Sequence, residues 1–113
     1  MPTADDVKGY HAHIYFDQDS YLQAQEFAKG AQQQFNLSVG HMHKQPVGPH
    51  PKWSCQLSFK RSLLADFIPW AATNRQGLTL FIHTVTGDDL FDHTEGALWM
   101  GTMEALDLSI FSE

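Results

Sequence analysis

Two histidines separated by a single residue, in YHAHIYF, are the first place where this chain could do chemistry. In an extended stretch His11 and His13 project from one face with Cα atoms roughly 6.6 Å apart, so their imidazoles can converge on one ion at about 2.0–2.1 Å from each nitrogen. A polar strand face whose histidines bond to neighbours or water would satisfy the same spacing. The pattern recurs, however. His41 and His43 repeat it in GHMHKQPVGPHP, and His83 stands in LTLFIHTV at the parity of Thr79, Phe81 and Val85. Solvated surfaces are usually built from Lys, Glu, Asp and Ser, whereas neutral imidazole suits metal ligation and titration near neutral pH.

His50 lies between Pro49 and Pro51, whose fixed φ angles restrict the backbone around it. A rigid loop is a sensible way to hold a catalytic histidine, although an ordinary proline turn with an exposed imidazole has the same sequence. His93, in DHTEG, can cap, pair with Asp92 or Glu95, or support a site from behind. The single cysteine, Cys55, shares an apolar alternation with Trp53, Leu57 and Phe59, which predicts a buried, inert thiol and excludes an internal disulfide. CxxC, a phosphate-cradling glycine loop, G-x-S-x-G and HExxH are all absent. HMH is not followed by the carboxylate that a cupin barrel needs.

The elements that must position these rings are legible as periodicities. Residues 9–16 alternate, with Tyr10, Ala12, Ile14 and Phe16 on one face and His11, His13 and Tyr15 on the other. Ser20 and Gln23 have capping-box spacing, and Tyr21, Ala24, Ala28, Ala31 and Phe35 recur at helical intervals, predicting a helix over 20–35. A second strand is expected in NLSVGHMH and a third in WSCQLSF. Leu37 and Val39 share parity with His41 and His43, an ambiguity that a bulge at Gly40 would resolve by re-aiming the rings. SLLADFIPWAATNRQG predicts a second helix with Asp66 as N-cap, Pro69 in its first turn and Gly77 as its stop. A fourth strand spans 78–85, then a TGDD turn. Residues 89–101 suggest a short helix ending at Gly101, with 104–113 packed loosely or forming one more strand.

Strand, helix, strand, strand, helix, strand is the split βαβ order of a ferredoxin-like α+β sandwich, an antiparallel sheet with both helices on one face. The first and third strands are then central and the fourth flanks the first, which brings His83 near His11 or His13. The opposite face is left for chemistry or for a second copy, so a homodimer is expected. With 113 residues the chain suits a single domain over 1–113. Its net charge of −6, without a basic run, argues against nucleic acid or an anionic membrane as partner. The first residues lack a positive leader and an apolar core, so a cytoplasmic location is expected.

Taken together, YHAHIYFD, HKQPVGPHP, LTLFIHTVTGDD and DHTEGALWMG resemble the DOPA 4,5-dioxygenase family over residues 9–101. The resemblance implies a ferredoxin-like enzyme domain and extradiol opening of a catechol such as L-DOPA by O₂. Dioxygen is a triplet and reacts poorly with singlet organics, so a redox metal is needed; Fe(II) on imidazoles with open positions serves, with Zn or Ni as possible substitutes. His11, His13 and His83 are the candidate metal ligands, because adjacent strands can bring them together; an alternative set uses His43, or Glu95 in place of one imidazole. His50 is the candidate acid–base group and His43 the second choice. Lys44 or Arg75 could meet a substrate carboxylate. Tyr15 could wall the ring, as could Trp53, although a core role suits Trp53 better, and His93 and Glu95 complete the expected substrate contacts. The competing accounts are a metal- or small-ligand-binding module without turnover, and a plain dimerisation domain.

Overall fold

A computed structural model describes residues 1–111. The elements are β1 (Gly9–Phe16), α1 (Tyr21–Phe35), β2 (Ser38–Val39), β3 (Trp53–Lys60), α2 (Leu64–Asn74), β4 (Thr79–Val85), α3 (Asp89–Asp92) and β5 (Ala97–Met100), with 3₁₀ turns at Ala4–Asp6, Arg61–Leu63 and Leu108–Phe111. The strands form one antiparallel sheet in the order β2-β3-β1-β4-β5. This is the expected ferredoxin-like two-layer sandwich with a fifth strand added beside β4.

Alternation sorts the sheet into two faces. Ala12, Ile14 and Phe16 of β1, Cys55, Leu57 and Phe59 of β3, and Leu80 and Ile82 of β4 join Ala24, Phe27, Ala28 and Ala31 of α1 and Phe67 and Ala71 of α2 in one buried core. The alanine-rich stripe of α1 lets the helix approach the sheet closely, while Phe27 and Phe35 of α1 meet Trp70 of α2 across the helix pair and Phe35 also meets Phe67. Cys55 is buried in this core as expected. Among the described residues no helix is long and apolar enough to cross a membrane.

Several boundaries differ from expectation, each for a physical reason. Ser20 does not form a capping box: it exchanges hydrogen bonds with Asp17, and Gln23 instead donates to the carbonyls of Arg75 and Gln76, tying α1 to the turn after α2. Helix α2 starts at Leu64, after a 3₁₀ turn, so Asp66 lies within its first turn and is not the N-cap. Pro69 therefore falls in the second turn, where it deprives the Ala65 carbonyl of a partner; both residues are exposed, so water can satisfy that carbonyl. The helix ends at Asn74, and Gln76 and Gly77 turn the chain with φ of 49° and 86°.

The predicted short helix over 89–101 is instead a single turn, α3, followed by β5, in which Ala97 and Trp99 oppose His83 and Phe81. Four residues are too few for a period of two to stand out from a helical one. Beyond Gly101 the chain crosses as coil to its last 3₁₀ turn, and the rest of the predicted tail, residues 112–113, lies outside the described residues. This crossing matters to the sheet's second face. Asp107 N–H donates to the Pro49 carbonyl at 2.9 Å and Lys52 pairs with Glu104 at 3.3 Å, so the proline loop and the C-terminal segment together cover part of the face that the sequence left open.

Candidate active site

The face of the sheet opposite the helices carries the imidazoles. Register places His11 beside His83 and His13 beside Phe81, so two strands contribute rings at one level of the sheet. The ligand nitrogens of His11, His13 and His83 all lie within 4.8 Å of one another. His13 Nε2 and His83 Nε2 are 3.0 Å apart. Two nitrogens each about 2.1 Å from a common ion, at right angles around it, would stand ~3.0 Å apart, the separation proper to neighbouring positions of an octahedron. The donor set therefore fits a divalent ion.

Protonation states support the fit. His83 Nδ1–H donates to the Thr84 carbonyl at 2.8 Å, and a carbonyl can only accept, so in the neutral ring Nε2 bears the lone pair. His13 Nε2–H must then supply the proton between the two rings, and that proton occupies the place a metal would take. Neutral rings are favoured here. Burial pushes His83 down to about 4, with the Thr84 bond opposing and the charges of His93 and His11 assisting. His13, only 5% exposed, is held well below the usual histidine range by burial and then by its imidazole neighbours, His50 first. His11 is lowered mainly by burial and then by His93, against the pull of Asp92.

His50 joins from the proline loop, its ring centre 4.1 Å from that of His13. Its Nδ1 is 2.8 Å from the Tyr15 hydroxyl. Burial, then His93 and His43, pushes His50 down to about 4. Tyr15 is buried, and burial followed by the charge of Glu104 raises its phenol above the ordinary value, so it keeps its proton. The hydroxyl must therefore donate, and among the described residues its one acceptor is His50 Nδ1. The His50 proton then resides on Nε2. Tyr15 thus orients His50 and sits edge-on to Trp99, whose ring stacks on Phe81 at 4.6 Å.

His93 closes the other side. Its Nδ1–H donates to the Asp89 carbonyl at 2.7 Å, and its ring lies between His83, at 4.2 Å, and Phe111, stacked at 4.4 Å. The partly open cavity is about 300 Å³, near the lower end of small-molecule sites at roughly 300–1,000 Å³. Imidazoles and Gln56 form its floor, and Pro49, Val85, Ile110 and Phe111 give it apolar walls.

The remaining candidates separate. Register shows a one-residue bulge on the edge strand: Val39 opposes Leu57, yet His43 opposes Ser54. The bulge carries His43 onto the imidazole face, but it falls at His41 and not at the expected Gly40, whose N–H still bonds the Gln56 carbonyl at 2.7 Å; His43 packs edge-on to exposed His41 at 4.9 Å and does not line the cavity. Lys44 is exposed, its ammonium 4.7 Å from the centre of the Tyr21 ring on the helix side. Arg75 donates to the Leu78 carbonyl at 2.9 Å, and Glu95 is exposed outside the cavity wall. Trp53 packs against the core and meets Phe16 edge-on, as its core role requires.

Asp92 and Phe111 are cavity residues that sequence reasoning did not assign to the site. Asp92 is 3% exposed and accepts from the Thr84 hydroxyl, the Thr86 hydroxyl and the Thr86 N–H at 2.8, 2.8 and 3.0 Å. Burial alone would raise its carboxyl; the three donors outweigh burial and lower it, so the group is ionised. The two threonines flanking Val85 were its only signal in the sequence.

The chain as a whole is similar to known proteins. An "Uncharacterized 21.2 kDa protein" of Botryotinia fuckeliana is 31% identical over 96% of this chain and 67% of its own length. A DOPA 4,5-dioxygenase of Amanita muscaria is 25% identical over 92% of this chain, which spans 50% of that protein. A crystal structure from Nostoc punctiforme, described as a "putative dioxygenase", superposes with a TM-score of 0.91 at 34% identity, covering 96% of this chain and 94% of the other. A family model matches residues 10–110, and on that match the chain belongs to the Dopa 4,5-dioxygenase family.

Proposed function

We propose that the protein is an extradiol dioxygenase that opens a catechol ring with O₂, using Fe(II) held by His11, His13 and His83. The observation that carries this reading is the 3.0 Å approach of His13 Nε2 to His83 Nε2, with the His83 lone pair fixed toward the pair by the Thr84 carbonyl. When bound, the iron supplies open positions where catechol and O₂ can meet, which overcomes the spin mismatch between them.

The chain's own groups do the rest. In the overall reaction a carbon–carbon bond beside the two hydroxyl-bearing carbons breaks and both oxygen atoms enter the product. The catechol must release a proton on binding, and one is returned as the ring opens. His50 is suited to that traffic: Tyr15 fixes its Nδ1 and leaves Nε2 to exchange the proton beside His13. Asp92 balances positive charge at the cluster without entering it. Phe111 and Ile110 offer an apolar wall that keeps bulk water from the ring.

The test is anaerobic reconstitution with Fe(II), addition of a catechol, and admission of ¹⁸O₂. A yellow ring-opened product carrying both labelled atoms is expected, with turnover abolished in His83→Ala and reduced at least ~100-fold in His50→Ala. Undiminished turnover in both variants would remove the proposed site.

A further inference from the structure

Resting on the ring-opening reading above, we propose that Lys8 receives a carboxylate carried on the substrate's side chain, so that the diol sits at the imidazoles while the acid arm runs over His11 and Val85 to the ammonium. Two adjoining hollows carry this. The imidazole cavity shares His11 and Val85 with an open depression of about 320 Å³ at the end of the sheet, to which Lys8, Gly9, Tyr10 and Phe59 also contribute. Gly9 lies on the strand face of His11 and puts no side chain between that ring and Lys8.

Of the chain's seven cations, Lys8 is the one placed for this contact. The two expected to meet a carboxylate are engaged elsewhere: Lys44 lies over Tyr21, and Arg75 donates to the Leu78 carbonyl. Lys52 pairs with Glu104, and Arg61 donates to the Ala4 and Val7 carbonyls. Lys29 lies on α1, behind the sheet, and Lys60 ends β3 without lining either hollow. The backbone of Lys8 is held, since its N–H donates to the Val85 carbonyl at 2.9 Å. Its side chain is exposed, and among the described residues its ammonium makes no hydrogen bond or ion pair.

Charge favours the same direction. A divalent ion, the Asp92 carboxylate and a singly ionised catechol sum to zero, so an acid side chain adds a negative charge that no lysine or arginine of the cavity wall balances. Toward α3 that charge would approach exposed Asp89; on the other side, past apolar Val85, it reaches Lys8. His11 and Lys8 are three residues apart, roughly 10 Å of extended chain, a span that a short acid arm and the flexible lysine stem close from its two ends.

The experiment compares 3-(3,4-dihydroxyphenyl)propionate with 4-methylcatechol, whose arm is uncharged. Dissociation constants are measured by calorimetry on Zn(II)-loaded protein, and turnover is measured separately on the Fe(II) form. Lys8→Gln should lower the acid-to-neutral affinity ratio about three- to fivefold, the size of a partly exposed ion pair, and added salt should lower the parent's ratio in the same direction. Lys8→Arg should keep the ratio, and so should Lys29→Gln, which removes the same charge from behind the sheet. A ratio that Lys8→Gln leaves unchanged, or that Lys29→Gln lowers equally, would overturn the assignment of Lys8 whatever the turnover. A ratio that depends on Lys8, without any ring opening, would overturn the reaction and leave the carboxylate contact standing. Binding of neither catechol would overturn both.

Discussion

Burying neutral imidazoles together makes the metal-free protein acid-sensitive, by an amount that follows from the shifts. For His50 and His83 the folded state has pKa values of about 4, against 6.5 for the unfolded chain. Between those values the unfolded state binds protons that the folded state refuses, so stability is complete above pH 6.5, declines as pH falls, and stops declining through these groups near pH 4. At pH 5 each ring would cost ~2 kcal/mol on this difference, about 4 kcal/mol for the pair. Solvent reaching the cavity side reduces that to roughly 2–3 kcal/mol. The assay is urea unfolding of chelator-treated protein, followed by tryptophan fluorescence between pH 8 and 5. A midpoint that is flat above pH 7 and then falls by about 1–2 M is expected, taking a urea slope near 1–3 kcal/mol per M. His83→Phe should show a shallower decline, with one ring's share removed. An unchanging midpoint from pH 7 to 5, or a variant as pH-sensitive as the parent, would refute the account of the buried rings as neutral.

Zn(II) or Co(II) should replace the proton between His13 and His83, raising stability by about 2.7 kcal/mol at a free-metal concentration 100 times the dissociation constant; a thermal melt reads this, and the gain should vanish in His11→Ala and His83→Ala. Tyr15→Phe leaves the buried His50 Nδ1 without its donor and should lower stability by about 1–3 kcal/mol by chemical denaturation, alongside slower turnover; unchanged values for both would separate Tyr15 from His50. Gly96→Ala would drive a Cβ into Thr84 Oγ1 and against the Phe91 ring, so a loss of at least ~2 kcal/mol in the same denaturation assay is expected from displacing Thr84 and, through it, Asp92.

Local periodicity carried most of the fold and the centre of the site. β1 was legible because its two faces differ in kind, aliphatic and aromatic toward the helices, imidazole and phenol away from them. His83 followed from strand order alone, since the fourth strand of a split βαβ sheet lies beside the first. What escaped was set by contacts between distant segments. Nothing local distinguishes β5 from a short helix, because its alternation takes effect only against Phe81 and His83. The Asp66 and Pro69 assignments failed together, because the 3₁₀ turn at Arg61–Leu63 starts the helix earlier than its apparent cap suggests. Lys44 adjoins His43 in sequence, yet its side chain lies on the helix side, where Tyr21 holds it. Asp92 reads as one acid among several until Thr84 and Thr86 close on it.

The bulge on the edge strand has a consequence for how HMH is understood. Between Val39, opposite Leu57, and His43, opposite Ser54, the chain has one residue more than its neighbour, and exposed His41 is the surplus, because Val39 and Met42 both pack on the core. Excising His41 alone would restore an unbroken ladder while keeping the thioether inward and His43 outward. The doublet that looks like a ligand pair in one dimension is, in three, a single ring beside a spare.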